Sequence, residues 1–145
     1  MSEKRNKILI VEDSELNIAV LVDILKHDYD MFVAKDGIEA IEKAGDIMPD
    51  LILLDIVLPK MDGYEVIKLL KENPGTSEIP IIFVTALSNV DNERKGLMLG
   101  ADDYIQKPYD PISVKLRVDI QIRIVNQMRT IKLLSEEIAS WMKDD

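Results

Sequence analysis

Short apolar runs rich in β-branched residues recur along the chain at Ile8–Val11, Met31–Ala34, Leu51–Leu54, Ile81–Val84 and Tyr104–Gln106. The central runs are apolar at every position, which predicts strands covered on both faces. Between them, Glu15–His27, Ile38–Ala44, Tyr64–Glu72 and Asp91–Leu99 show helical spacing, with Leu16, Val20 and Ile24 one turn apart and Val66, Leu69 and Leu70 on one face. Asp62 with Glu65, and Ser88 with Asp91, have the three-residue spacing of a helix cap and its reciprocal acid. Gly45, Gly75 and Gly100 mark helix exits. Strand and helix alternate five times. Parallel strands need right-handed crossovers, so this alternation predicts a doubly wound α/β fold, a five-stranded parallel sheet flanked by five helices.

The last helical segment is longer than the fold requires. From Asp110-Pro111, a cap followed by proline in the first turn, the pattern continues without glycine or proline to Trp141. That is about 30 residues, or roughly 45 Å. Half of it suffices to cover a sheet, so the expected organisation is one domain over residues 1–125 and a helical extension over 126–145. Heptad spacing places Ile120, Ile124, Ile131, Leu134, Ile138 and Trp141 on one seam, interrupted at Gln127. This seam predicts a parallel coiled-coil homodimer. The extension is expected to be a linker toward an output domain beyond residue 145.

Composition narrows the function classes. The 145 residues are 47% hydrophobic and 31% charged, enough apolar material for a single core. A net charge of −9 would repel a phosphate backbone, which argues against direct nucleic-acid binding. There is no cysteine, so a disulfide framework or thiolate metal site is excluded. No export signal is visible, and no apolar run approaches the roughly 18 residues of a membrane span. A soluble, cytoplasmic protein with no membrane partner is expected.

In doubly wound folds, ligands sit beyond the carboxyl ends of the strands. The first strand ends in Glu12-Asp13, the third in Asp55, the fourth in Thr85 and the fifth in Lys107-Pro108. Three carboxylates at one edge repel one another, and a hard divalent cation, magnesium, resolves the conflict with oxygen ligands and retained waters. Beside a metal, Asp55 is the candidate nucleophile for an acyl phosphate. Lys107 supplies a compact cation for Asp55 or a phosphoryl oxygen, and Thr85 a hydroxyl donor at the same level.

These pieces resemble, in combination and order, the receiver domain of bacterial two-component response regulators. The matching segments are Ile8–Ser14, Asp50–Gly63, Pro80–Ala86 and Gly100–Pro108, within a span of residues 6 to about 125. The resemblance implies the strand order 2-1-3-4-5. It also implies that Asp55 is the phosphoacceptor, and that Asp13, Asp55 and the Val57 backbone carbonyl ligate Mg2+, with Glu12 acting through water. Lys107 would contact the phosphoryl group, Thr85 and Tyr104 would switch conformation, and Lys107-Pro108 would be a cis peptide. The donor would be a sensor histidine kinase, a phosphotransfer protein or a small acyl phosphate. Such a domain catalyses only its own phosphorylation and dephosphorylation and otherwise acts by binding.

In this family the positions two beyond the phosphoacceptor and the switch threonine flank the path of the attacking water. Here they are Val57 and Leu87, both apolar, so a comparatively long-lived phosphoryl group is expected. Two other functions compete. A magnesium-dependent phosphohydrolase of the haloacid-dehalogenase type would also use an aspartyl phosphate, but it needs an Asp-x-Asp pair after the first strand, where this chain has Glu12-Asp13-Ser14. A degenerate receiver acting as a dimerisation scaffold would not need the full set of site residues. His27, the only histidine, reads as a favourable cation at a helix end.

Overall fold

The computed structural model describes residues 4–86 and 90–143. Five strands, β1 (Lys7–Val11), β2 (Asp30–Ala34), β3 (Leu51–Asp55), β4 (Ile81–Thr85) and β5 (Asp103–Gln106), alternate with α1 (Glu15–Leu25), α2 (Gly37–Ile47), α3 (Gly63–Glu72), α4 (Val90–Met98) and α5 (Pro111–Lys143). All strand pairs are parallel, in the order β2-β1-β3-β4-β5. The expected architecture is the one observed.

The two-residue period of the strands divides the core into two layers. Leu9, Val11, Ile52, Leu54, Ile81 and Phe83 face α2, α3 and the end of α4. Ile8, Ile10, Leu51, Leu53, Ile82, Val84 and Ile105 face α1 and α5, meeting Leu21, Leu25, Val114, Val118 and Ile122. Burial on both sides explains why β3 and β4 carry no polar residue before their last position.

Local chemistry sets the helix starts. Ser14, Asp36 and Asp62 cap α1, α2 and α3 by accepting from the amides of Asn17, Glu39 and Glu65. The Ser88 cap and Leu87 lie outside the described residues. Gly100, at φ 115°, ends α4 as expected. Gly45, in contrast, lies inside α2, which continues to Ile47 and terminates on Met48 at φ 52°. Similarly, α1 stops at Leu25, two residues short of His27.

Helix α5 runs unbroken across residues 125 and 126, and its middle is still tied to the domain. Asn126 and Asn6 exchange side-chain amide bonds of 3.0 and 3.2 Å, and Arg129 pairs with the largely buried Asp50, whose other oxygen accepts from the Lys7 amide at 2.7 Å. The seam residues Ile120, Ile124, Ile131, Leu134, Ile138 and Trp141 are 42–81% exposed, so the domain's own core does not cover them. No described helix is long and apolar enough to cross a membrane.

Candidate functional site

Period two carries the layer facing α1 and α5 past the strand ends. The row Ile8, Ile10 leads to Glu12, Leu51 and Leu53 lead to Asp55, and Ile105 leads to Lys107. Three charged groups therefore meet at one edge of an apolar layer. Lys107 Nζ donates to Asp55 Oδ2 at 2.8 Å and to Glu12 Oε1 at 3.3 Å. Glu12 and Asp55 are only 2% and 4% exposed, so both carboxylates are largely shielded from bulk solvent.

The remaining oxygens are held unequally. Asp55 Oδ1 accepts from the Val57 amide at 3.1 Å, and Glu12 Oε1 also accepts from Asn17 Nδ2 at 2.5 Å. Glu12 Oε2 is buried with no hydrogen-bond partner. Burial, followed by the neighbouring Asp55 carboxyl, pushes the Glu12 pKa up to about 7. Burial also works against the charge on Lys107, but the carboxylates of Asp55 and Glu12 outweigh it and hold the lysine above its ordinary value.

Asp13 completes an acidic cup. One carboxylate oxygen each from Glu12, Asp13 and Asp55 lies within 4.8 Å of the other two, with Asp13 exposed and the others buried. An all-oxygen donor set with one open side suits a hard cation that keeps part of its water shell. The orphaned Glu12 oxygen is a further sign that a water or ion belongs here.

Thr85 ends β4 on the opposite layer, in line with Phe83, and is 2% exposed. Its carbonyl accepts from the Lys107 amide at 2.9 Å. Tyr104, paired with Phe83 across β4 and β5, stacks on that ring at 5.8 Å and 27°. Its ring also lies 5.8 Å from the Arg117 guanidinium, which makes two 2.8 Å bonds to Asp103. The Glu93 carboxylate beside its hydroxyl raises the Tyr104 pKa. Tyr104 thus bridges β5, α4 and α5. The Lys107-Pro108 peptide is cis.

Three further residues were given no role at the site by the sequence reading. Asn17 sits at the third position of α1, where a polar side chain can reach back toward the cap, and here it reaches Glu12. Gly63 permits the β3–α3 loop to close against Asp55. Tyr109 continues the two-residue period beyond Lys107, packs on the α1/α5 layer, and buries a hydroxyl that has no partner.

Comparison with known proteins agrees with this geometry. The response regulator receiver domain family matches residues 8–119. A Vibrio cholerae protein named "Probable cyclic di-GMP phosphodiesterase" is 45% identical over 116 residues, which are 80% of this chain and 26% of that protein. The alkaline phosphatase synthesis transcriptional regulatory protein PhoP of Bacillus subtilis is 42% identical over 118 residues, 81% of this chain and 48% of that protein. The chain therefore spans between about a quarter and a half of the length of these relatives. The chemotaxis response regulator CheY4 of Vibrio cholerae superimposes with a TM-score of 0.77 at 26% identity, covering 81% of this chain and 99% of that one. With family, topology and strand-edge chemistry in agreement, this chain belongs to the response regulator receiver domains, the signalling modules of two-component systems.

Proposed function

We propose that this receiver takes a phosphoryl group on Asp55 in a magnesium-dependent transfer from a phosphohistidine of a sensor kinase or phosphotransfer protein, or from a small acyl phosphate. A carboxylate oxygen of Asp55 attacks phosphorus, forming an O–P bond as the bond to the donor breaks. The leaving imidazole or carboxylate keeps the electron pair. The observation that carries this reading is Lys107 Nζ, poised between Asp55 at 2.8 Å and Glu12 at 3.3 Å.

Asp13 and Asp55, with the Val57 carbonyl, would hold Mg2+ directly, and Glu12 would act through water. When bound, the ion screens the negative charge of the incoming phosphoryl group. The chain's own groups do the rest. Lys107 exchanges its bond to Asp55 for one to a phosphoryl oxygen, as a fixed donor in a shielded site. Thr85 is the hydroxyl that follows the phosphoryl group, and Tyr104 relays the change to the surface of α4, β5 and α5. The exposed α5 seam supports a parallel coiled-coil homodimer and a connection to an output domain. Apart from its own phosphorylation and dephosphorylation, the domain acts by binding, in the cytoplasm.

Borohydride reduction tests the acceptor assignment directly. An acyl phosphate on Asp55 is reduced to homoserine, and peptide sequencing of the treated protein is expected to place that residue at position 55. Homoserine at any other position would refute the assignment.

A further inference from the structure

Tyr109 stands two residues beyond Lys107, with its ring packed on the core layer that faces α1 and α5. That layer also leads to Glu12, Asp55 and Lys107 at the strand ends, and the Glu12 and Asp55 carboxylates lie near enough for their charges to act on the tyrosine. Among the described residues, two buried side-chain polar atoms lack a hydrogen-bond partner: the Tyr109 hydroxyl and Glu12 Oε2. One is a donor and the other an acceptor. A phenylalanine would fill the same apolar site without burying an orphan hydroxyl, so the tyrosine points to a missing polar partner.

We propose that Tyr109 is a positioning residue of the phosphoacceptor site, its hydroxyl donating to a water that in turn donates to Glu12 Oε2. The two atoms make no bond to each other, and a single water between them would satisfy both, which fits the two to four polar partners a buried water requires. Burial and the nearby Glu12 and Asp55 carboxylates together hold the tyrosine well above its ordinary pKa, so it stays a neutral donor. With Asn17 and Lys107 fixing Oε1, this second tie fixes the orientation of the whole carboxylate. A Glu12 carboxylate held in one orientation is what the water shell of a hydrated cation in the cup requires.

The inference rests on magnesium occupying the cup, and a calorimetric titration of the unaltered chain, Tyr109→Phe, Glu12→Gln and the double variant with Mg2+ separates the two ideas. Tyr109→Phe is expected to raise the Mg2+ dissociation constant by about three- to tenfold, the worth of one ordinary hydrogen bond. In the Glu12→Gln background the same change is expected to have little effect, because the tie it removes is already broken. The thermal midpoint of Tyr109→Phe in chelator is expected to fall by no more than a few degrees, the cost of one water-mediated hydrogen bond, which excludes a folding defect. Equal Mg2+ affinity of Tyr109→Phe and the unaltered chain, or fully additive effects in the double variant, would overturn the role of Tyr109. No Mg2+ binding by the unaltered chain would overturn both this inference and the magnesium site.

Discussion

A β-carbon built on Gly63 would lie 2.4 Å from the carbonyl oxygen of Asp55 and 2.6 Å from the Ile56 Cα, both backbone atoms that cannot rotate away. The first turn of α3 is therefore pressed against the residue that bears the candidate phosphoacceptor, and the Gly63 amide donates to the Ile56 carbonyl at 2.8 Å. Gly63→Ala is expected to cost about 1–3 kcal/mol, as overpacking does. It should also slow phosphorylation by displacing the backbone of Asp55. Denaturant unfolding and acyl-phosphate kinetics on the same variant check this. Unchanged values of both would contradict the close approach.

Glu12 predicts a pH dependence in the metal-free chain. Its pKa is raised from 4.5 to about 7, chiefly by burial. The folded state thus holds the proton more tightly than the unfolded state. This group's contribution is fully present below pH 4.5 and is lost as pH rises through about 7. In chelator, the stability difference between the unaltered chain and Glu12→Gln is expected to move against the unaltered chain across that window. Urea unfolding at several pH values measures it, and a difference independent of pH would contradict the assignment.

The lifetime of a phosphoryl group on Asp55 would depend on what stands beside that residue. The Val57 amide bonds Asp55 Oδ1 at 3.1 Å, while its side chain is 66% exposed and apolar, and so offers nothing to orient a water. Val57→Asn is expected to accelerate hydrolysis of the acyl phosphate several-fold, since alignment of a nucleophile lowers the barrier. Loss of the phosphoryl mass with time gives the rate, and an unaltered rate would contradict this reading. Leu87, the second position in the argument, lies outside the described residues.

The α5 seam predicts association. A helix whose apolar stripe from Ile120 to Trp141 is uncovered by its own domain gains by burying it against a second copy. Sedimentation of the chain is expected to show a dimer, and Leu134→Lys with Ile138→Lys a monomer with the same fold. A monomer at high concentration, with or without phosphorylation, would contradict the coiled coil.

Much of this was legible in the sequence because the physics is local. The runs Leu51–Leu54 and Ile81–Val84 are apolar throughout since both faces of those strands are buried, and the polar residue that ends each run marks the edge where the site lies. Glu12, Asp13, Asp55 and Lys107 were found in this way, and the structure brings them together. What sequence did not reveal depends on distances between elements. Gly63 shows its role only once its approach to Asp55 is seen, and nothing in the spacing marks the Tyr109 hydroxyl as buried and unpaired. Gly45 reads as a helix exit, but the helical bonding of α2 continues past it, the Met48 amide donating to the Ala44 carbonyl at 3.1 Å, and Met48 takes the left-handed position instead. The tie of Arg129 to Asp50 joins residues far apart in the chain and has no periodic signature.

The central claim is that Asp55 becomes phosphorylated next to a magnesium ion, and intact mass tests it most directly. The unaltered chain and Asp55→Asn are incubated with a small acyl phosphate, with Mg2+ or with chelator. A single phosphoryl adduct on the unaltered chain, absent in Asp55→Asn and absent in chelator, is the predicted result. An adduct that persists in Asp55→Asn or in chelator, or no adduct on the unaltered chain with either an acyl phosphate or a phosphohistidine donor, would contradict the account.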